Sequence, residues 1–178
     1  MKIISGKYKG RNLNGYSIEG TRPTMDRVKE SLFAMIQNYV SDSNCLDLFA
    51  GSGNLGLEAI SEGASCCTFI DNNKVAIKTI NENLSKFDIN NCKVYLKDFN
   101  IFLKETNEKY DLIFIDPPYK TDYIKKAIIL IEKYDLLKNS GLMILESDDE
   151  SKLYCSDSYD MFKEKKYGDK FIWILRKK

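Results

Sequence analysis

Histidine is absent from all 178 residues. That excludes Ser-His-Asp and Cys-His nucleophile systems and any histidine-ligated metal site. No apolar run approaches the roughly 18–20 residues that cross a membrane. The opening MKIISGKYKGRNLNGY also lacks the apolar stretch of a signal peptide. A cytoplasmic protein is expected, bound to neither membrane nor metal. The five cysteines are Cys45, Cys66, Cys67, Cys92 and Cys155. Their odd number and the absence of CxxC spacing argue against a disulfide framework and a zinc site. The first four lie at or near the starts of apolar runs and read as small core residues. Prolines number three, and two of them are adjacent, in IFIDPPYKT at 113–121.

Net charge is only +1, but it is uneven. Residues 1–30 carry a net +4, residues 163–178 a net +5, and the stretch between them −8. Basic ends around an acidic middle suggest that the termini contact a polyanion. The length suits one domain with a sizeable core, 1–178. Within it, 1–40 reads as a hairpin and helix extension and 41–178 as the catalytic core.

KIISGKYKGRNL alternates apolar with small or basic residues and is punctuated by glycine, which reads as a short hairpin. TRPTMDRVKESLFAMIQNYV gives a helix, with Thr24 at its N-cap and a stripe of Val28, Leu32, Met35, Ile36 and Tyr39. From residue 45 strand and helix alternate. The strands are CLDLF, CCTFID, CKVYL, DLIFID and GLMILES. The helices between them are NLGLEAISEG, NKVAIKTINENLSKF, FNIFLKET and YIKKAIILIEKY. Short apolar strands separated by helices mean an α/β fold whose parallel sheet is buried on both faces. MFKEKKYGDKFIWILRKK adds an antiparallel hairpin that turns at or near Gly168.

Two motifs carry chemistry. After the first strand comes LDLFAGSGNLGLEA, with Gly51, Gly53 and Gly56 spaced GxGxxG. Glycine permits a tight turn and close approach of a ligand, and the following helix presents unpaired N–H groups. Asp71 ends the second strand, placed to accept hydrogen bonds from ribose hydroxyls. A dinucleotide fits this pattern, and so does S-adenosylmethionine, with Asp47 meeting its ammonium, Asp98 reading the adenine amine and Phe99 packing on the adenine face. A nicotinamide-dependent oxidoreductase is therefore one alternative. Against it, the chain lacks a second mononucleotide-binding half, a substrate domain and a histidine.

The second motif is Asp116-Pro117-Pro118-Tyr119, at the carboxyl end of the fourth strand. Proline has no N–H, so the corner mostly accepts hydrogen bonds. Asp116 and the Pro117 carbonyl suit the two protons of an exocyclic amine, with Tyr119 stacked on the base. Holding both protons favours a pyramidal nitrogen whose lone pair can attack a methyl group.

DLFAGSG…GLEA, FID and DPPY resemble the cofactor and amine-binding motifs of class I S-adenosylmethionine-dependent amino-methyltransferases. With IISGKYKGRNL, TRPTMDRVKESLF and the final KKYGDKFIWILR, nearly the whole chain resembles the bacterial 16S ribosomal RNA guanine-N2 methyltransferases of the RsmD type. DPPY alone is shared with DNA adenine methyltransferases, so adenine-N6 methylation of DNA or RNA is the nearest alternative.

The resemblance implies a Rossmann-like, mostly parallel seven-stranded methyltransferase sheet. It implies S-adenosyl-L-methionine as cofactor and one guanine of 16S ribosomal RNA as substrate, in a small-subunit assembly intermediate, with the enzyme a monomer. Cofactor contacts would fall on Asp47, Phe49, Ala50, Gly51, Ser52 and Gly53, and on Asp71, Asn72, Asp98 and Phe99. Arg22 and Thr24 of TRPT would help close the pocket. Asp116, Pro117, Pro118 and Tyr119 would hold the amine and base. RNA contacts would come from Lys7, Lys9 and Arg11 and from Lys165, Lys166 and Tyr167. The resemblance also implies a histidine soon after the fifth strand, where this chain has Glu146-Ser147.

Overall fold

The computed structural model describes residues 1–15, 23–118 and 122–178, with positions 23–25 given by their backbone alone. A helix α1 (Pro23–Val40) leads into β1 (Asn44–Asp47), α2 (Asn54–Ser61), β2 (Cys66–Asp71), α3 (Lys74–Lys86) and β3 (Cys92–Leu96). There follow α4 (Phe99–Glu105), β4 (Tyr110–Ile115), α5 (Tyr123–Lys133) and β5 (Leu137–Ser147). A 3-10 turn (Glu150–Lys152) then precedes β6 (Tyr159–Tyr167) and β7 (Lys170–Lys177).

The seven strands lie in the order β3-β2-β1-β4-β5-β7-β6. The first five are parallel, while β7 runs antiparallel to both β5 and β6. The chain winds outward from β1 to β3 and then returns to place β4 on the other side of β1. The reversal leaves a crevice beyond the carboxyl ends of β1 and β4, where open α/β sheets bind ligands. The expected mostly parallel sheet with an antiparallel C-terminal hairpin is what forms. Gly168 sits in the β6–β7 turn at φ +55°.

Both sheet faces are covered. Leu32 and Ile36 of α1, Leu57 of α2 and Ile80 of α3 pack on one side, against Cys45, Phe69, Phe114 and Ile144. Leu103 of α4 and Ile124, Ile128 and Ile131 of α5 pack on the other, against Leu46, Ile70, Ile113 and Met143. Burial on both sides explains why the strands read as continuous apolar runs. Cys45 and Cys67 are buried in this core, and burial pushes the Cys45 thiol up to about 12.

Two sequence expectations are corrected. Helix α1 begins at Pro23, a residue suited to the first helical position. Thr24 therefore lies inside the helix and not at its cap. Strand β5 starts at Leu137 and not Gly141, because the register shifts between the pairs Tyr110–Leu137 and Leu112–Leu142. The expected short N-terminal hairpin forms around the antiparallel bridge Lys2–Asn12, with Ile3 N–H donating to the Arg11 carbonyl and Leu13 N–H to the Met1 carbonyl, both at 3.0 Å.

The hairpin is held to the core through α2. Glu58 Oε1 accepts from the N–H groups of Ile4 and Ser5, both at 2.9 Å, so these donors go to a helix side chain and not to a strand. Glu58 is 0% exposed and pairs at 2.7 Å with Lys29 of α1, itself 2% exposed. Lys29 Nζ also donates to the Lys2 carbonyl at 2.7 Å. The N-terminal segment is thus fastened to α1 and α2 together.

Gly6 turns the segment at φ +76°, and a Cβ there would lie 1.9 Å from the Ser61 carbonyl oxygen. That oxygen accepts from Lys7 N–H at 2.8 Å, which caps the end of α2. Gly6→Ala is expected to destabilise the protein by about 1–3 kcal/mol through forced displacement of backbone against backbone. Denaturant titration checks this, and a wild-type midpoint would contradict the contact.

Candidate active site

The glycine loop leaves β1 at the crevice. Gly51 and Gly53 take positive φ, +55° and +80°, as a tight strand-to-helix turn requires. Ala50 N–H donates to the Ile70 carbonyl at 2.9 Å and Gly53 N–H to the Ala50 carbonyl at 2.7 Å. Asp71, at the end of β2, holds this turn: its Oδ2 accepts from Gly51 N–H at 2.9 Å and its Oδ1 from Asn73 N–H at 2.8 Å. A carboxylate offers about four acceptor positions, more than these two bonds fill. Ser52 is buried and Asn72 is exposed on the same edge.

Asp47, at the end of β1, is 3% exposed and accepts from Gly56 N–H at 3.0 Å through Oδ2. Burial raises its carboxyl to about 7, the Gly56 bond opposing that and the Asp71 charge adding to it. A buried carboxylate with one donor is a ready partner for a ligand cation, which would relieve the cost of its charge.

Asp98 caps α4, its Oδ1 accepting from Asn100 N–H at 2.8 Å. Phe99 is 5% exposed, and its ring lies 4.9 Å from Phe49 and 5.1 Å from Tyr123. Phe49 and Tyr123 stack with centroids 6.0 Å apart and planes 3° off parallel. Tyr123, which sequence reasoning did not single out, thus joins two expected cofactor residues. Its signal was an aromatic opening the helix that follows the proline corner.

The corner itself leaves β4 beside the glycine loop. Asp116 and Pro117 are half-buried and Pro118 is exposed. Burial holds the Asp116 carboxyl well above the usual carboxylate range. Glu146 reinforces this, Lys170 opposes it, and Asp47 and Asp148 add smaller contributions in the same direction as Glu146. Glu146 sits one residue past the Ile115–Leu145 pair, so it lies level with Asp116 on the neighbouring strand. Its Oε1 is 3.0 Å from Lys170 Nζ, the two side chains being 13% and 17% exposed. Glu146 was given no role from the sequence. The signal available was an acid ending β5 as Asp116 ends β4. Tyr119, Arg22 and the Thr24 side chain lie outside the described residues.

The expected RNA contacts separate into two places. Because β6 runs parallel to β5, its end at Lys165, Lys166 and Tyr167 lies on the same sheet edge as Asp116. There Lys165 lies over the Tyr167 ring at 4.9 Å and Lys166 over Phe171 at 4.6 Å. Lys165 also reaches Ser31 Oγ at 3.5 Å. Tyr167 is half-buried, and its hydroxyl has no hydrogen-bond partner among the described residues. Lys7, Lys9 and Arg11 are exposed at the far end of α2 and α3, where Tyr8 stacks on Phe87 at 5.5 Å. The eight residues of α2 set that patch roughly 12 Å from the glycine loop at 1.5 Å per residue.

A seven-stranded sheet in this order, with a glycine loop and an acid ending adjacent strands, is the fold of the class I methyltransferases. The solved structure described as "Putative methyltransferase yhhF from Escherichia coli" superposes with a TM-score of 0.91 at 31% identity, over 100% of this chain and 98% of that one. The chain belongs to the family described as conserved hypothetical protein 95, whose model matches residues 1–176. Ribosomal RNA small subunit methyltransferase D of Haemophilus influenzae is 36% identical over 172 residues, covering 94% of this chain and 89% of its own length. The protein of that name from Buchnera aphidicola is 36% identical over 92% of this chain and 86% of its own.

Proposed function

We propose that this protein is an S-adenosylmethionine-dependent methyltransferase acting on the exocyclic N2 amine of one guanine in 16S ribosomal RNA. The observation that carries the reading is the meeting of the glycine loop and the Asp116-Pro117-Pro118 corner across the β1–β4 crevice, in a chain of this family. The residues fit the cofactor. Asp71 has acceptor positions to spare for ribose hydroxyls, the left-handed Gly51 and Gly53 admit a close ligand, and Asp47 needs a cation.

When bound, S-adenosylmethionine supplies an electrophilic methyl group on a sulfonium. Asp116 and the Pro117 carbonyl accept the two amine protons of a guanine taken out of its stack. That would localise the nitrogen lone pair and aim it at the methyl group the cofactor would supply, the sulfonium sulfur being the leaving group. The methylated nitrogen then releases one proton to Asp116 or to water. The hairpin lysines at the catalytic edge and the more distant Lys7, Lys9 and Arg11 would hold phosphates, giving strong salt dependence.

The reading extends to a cytoplasmic monomer in which 1–178 works as one methyltransferase unit on a small-subunit assembly intermediate. Mass spectrometry of ribosomal RNA from cells with and without the protein tests it. One N2-methylguanosine of 16S RNA should disappear on deletion and return on complementation. An unchanged pattern of guanine methylation would refute it.

A further inference from the structure

Asp116, Glu146 and Lys170 form a row across β4, β5 and β7 at the carboxyl edge of the sheet. Leu112 and Phe114 precede Asp116 on the face that also carries Leu142, Ile144 and Ile172. Alternation of side chains puts Glu146 and Lys170 on that face too. Packing does not account for the Glu146–Lys170 pair, since taking such a pair out of water is close to neutral for stability. The row reads acceptor, acceptor, donor.

The Watson–Crick edge of guanine reads donor, donor, acceptor: the N2 amine, N1–H and O6. Adenine and cytosine each follow their amine with an unprotonated ring nitrogen, which would face the Glu146 carboxylate lone pair to lone pair. We infer that Glu146 and Lys170 select the base, Glu146 accepting the guanine N1–H and Lys170 donating to O6, while Asp116 and the Pro117 carbonyl hold the amine. The 3.0 Å between Glu146 Oε1 and Lys170 Nζ sets an acceptor and a donor side by side, as two parallel hydrogen bonds to neighbouring base atoms require. Neighbouring strands about 4.8 Å apart spread the row over a length of the same order as a purine edge. The inference rests on the guanine-N2 reading above and adds to it the groups that reject other bases.

The test compares small-subunit particles carrying guanine at the methylated position with particles carrying 2-aminopurine there. The analogue keeps the N2 amine, but its N1 bears no proton and it has no O6. Wild-type enzyme should prefer guanine by at least roughly 100-fold in kcat/KM, because the analogue turns a ring-nitrogen lone pair toward the Glu146 carboxylate and offers Lys170 no O6. In Glu146→Gln the amide can donate to the analogue's N1, so the preference should fall to within about 10-fold. Lys170→Met should slow methylation of guanine by roughly 10- to 100-fold and leave 2-aminopurine nearly unchanged.

Each preference is a ratio within one variant, so a less stable variant still reports it. Isothermal titration with S-adenosylmethionine verifies that the cofactor edge is intact. A wild-type ratio in both variants overturns the inference while the guanine-N2 reading stands. Failure of the wild-type enzyme to methylate the guanine particle would instead overturn that reading.

Discussion

Asp116→Ala is expected to lower methyl transfer about 10³-fold, with S-adenosylmethionine binding held within a few-fold. The size follows from what the carboxylate does. In the proposed mechanism it is one of two acceptors for the amine, in a half-buried corner where a preorganised polar contact is worth about 10²–10³ in rate. The proposed cofactor contacts lie on the neighbouring loops at Asp47, Gly51 and Asp71, which the truncation leaves in place. Transfer of labelled methyl groups to small subunits from a deletion strain, run beside isothermal titration of the cofactor, separates the two effects. Near-normal turnover would remove Asp116 from the chemistry.

The pH profile gives the same residue a second signature. Burial and the Glu146 charge hold the Asp116 carboxyl well above the ordinary carboxylate range. The ionised form is the better acceptor. Activity should therefore fall as pH drops through that raised pKa, with an acid limb at higher pH than an unperturbed Asp would give. Asp116→Asn, which has no such ionisation, should lose the limb along with most of the rate.

Much of the fold could be read from the sequence because both sheet faces are covered. Apolar runs such as DLIFI needed no alternation to be recognised as strands, and helices of regular length separated them. The glycine loop and its acid could be read for a similar reason, since spacing alone fixes which groups meet. The loop by itself left a nicotinamide dinucleotide open, and the proline corner with the family match favours the methyl donor. What escaped depends on register between distant strands or on burial of single polar groups. Nothing local marks Glu58 as the acceptor that fastens the N-terminal hairpin, since its partners Ile4 and Ser5 lie far away in the sequence. The row of Asp116, Glu146 and Lys170 comes from three strands whose alignment no local pattern states. Lys7 and Lys165 read alike as basic residues near chain ends, yet only Lys165 lies on the catalytic edge.

Asp47→Asn is expected to stabilise the free protein and weaken its hold on the cofactor. The Asp47 carboxyl titrates at about 7 in the fold against an ordinary value of 3.8. Between those values the folded state keeps a proton that the unfolded chain has lost, so stability falls as pH rises and the cost is complete above about pH 7. Asparagine carries no charge and can still accept from Gly56 N–H. The variant should therefore gain roughly 1–3 kcal/mol at pH 8 and none at pH 4. Cofactor binding should move the other way. The ammonium of S-adenosylmethionine would favour ionised Asp47, and losing that partner should cost about 2 kcal/mol, some 30-fold in Kd. Below pH 7 the wild type should also release up to one proton on binding the cofactor, and Asp47→Asn should release less. Titrations in two buffers of different ionisation enthalpy read the proton count, and urea unfolding at pH 4 and pH 8 reads the stability. A purely structural Asp47 would give a less stable variant with unchanged affinity. Opposite signs for stability and binding would mark a carboxylate kept at a cost to the fold for the sake of the ligand it meets.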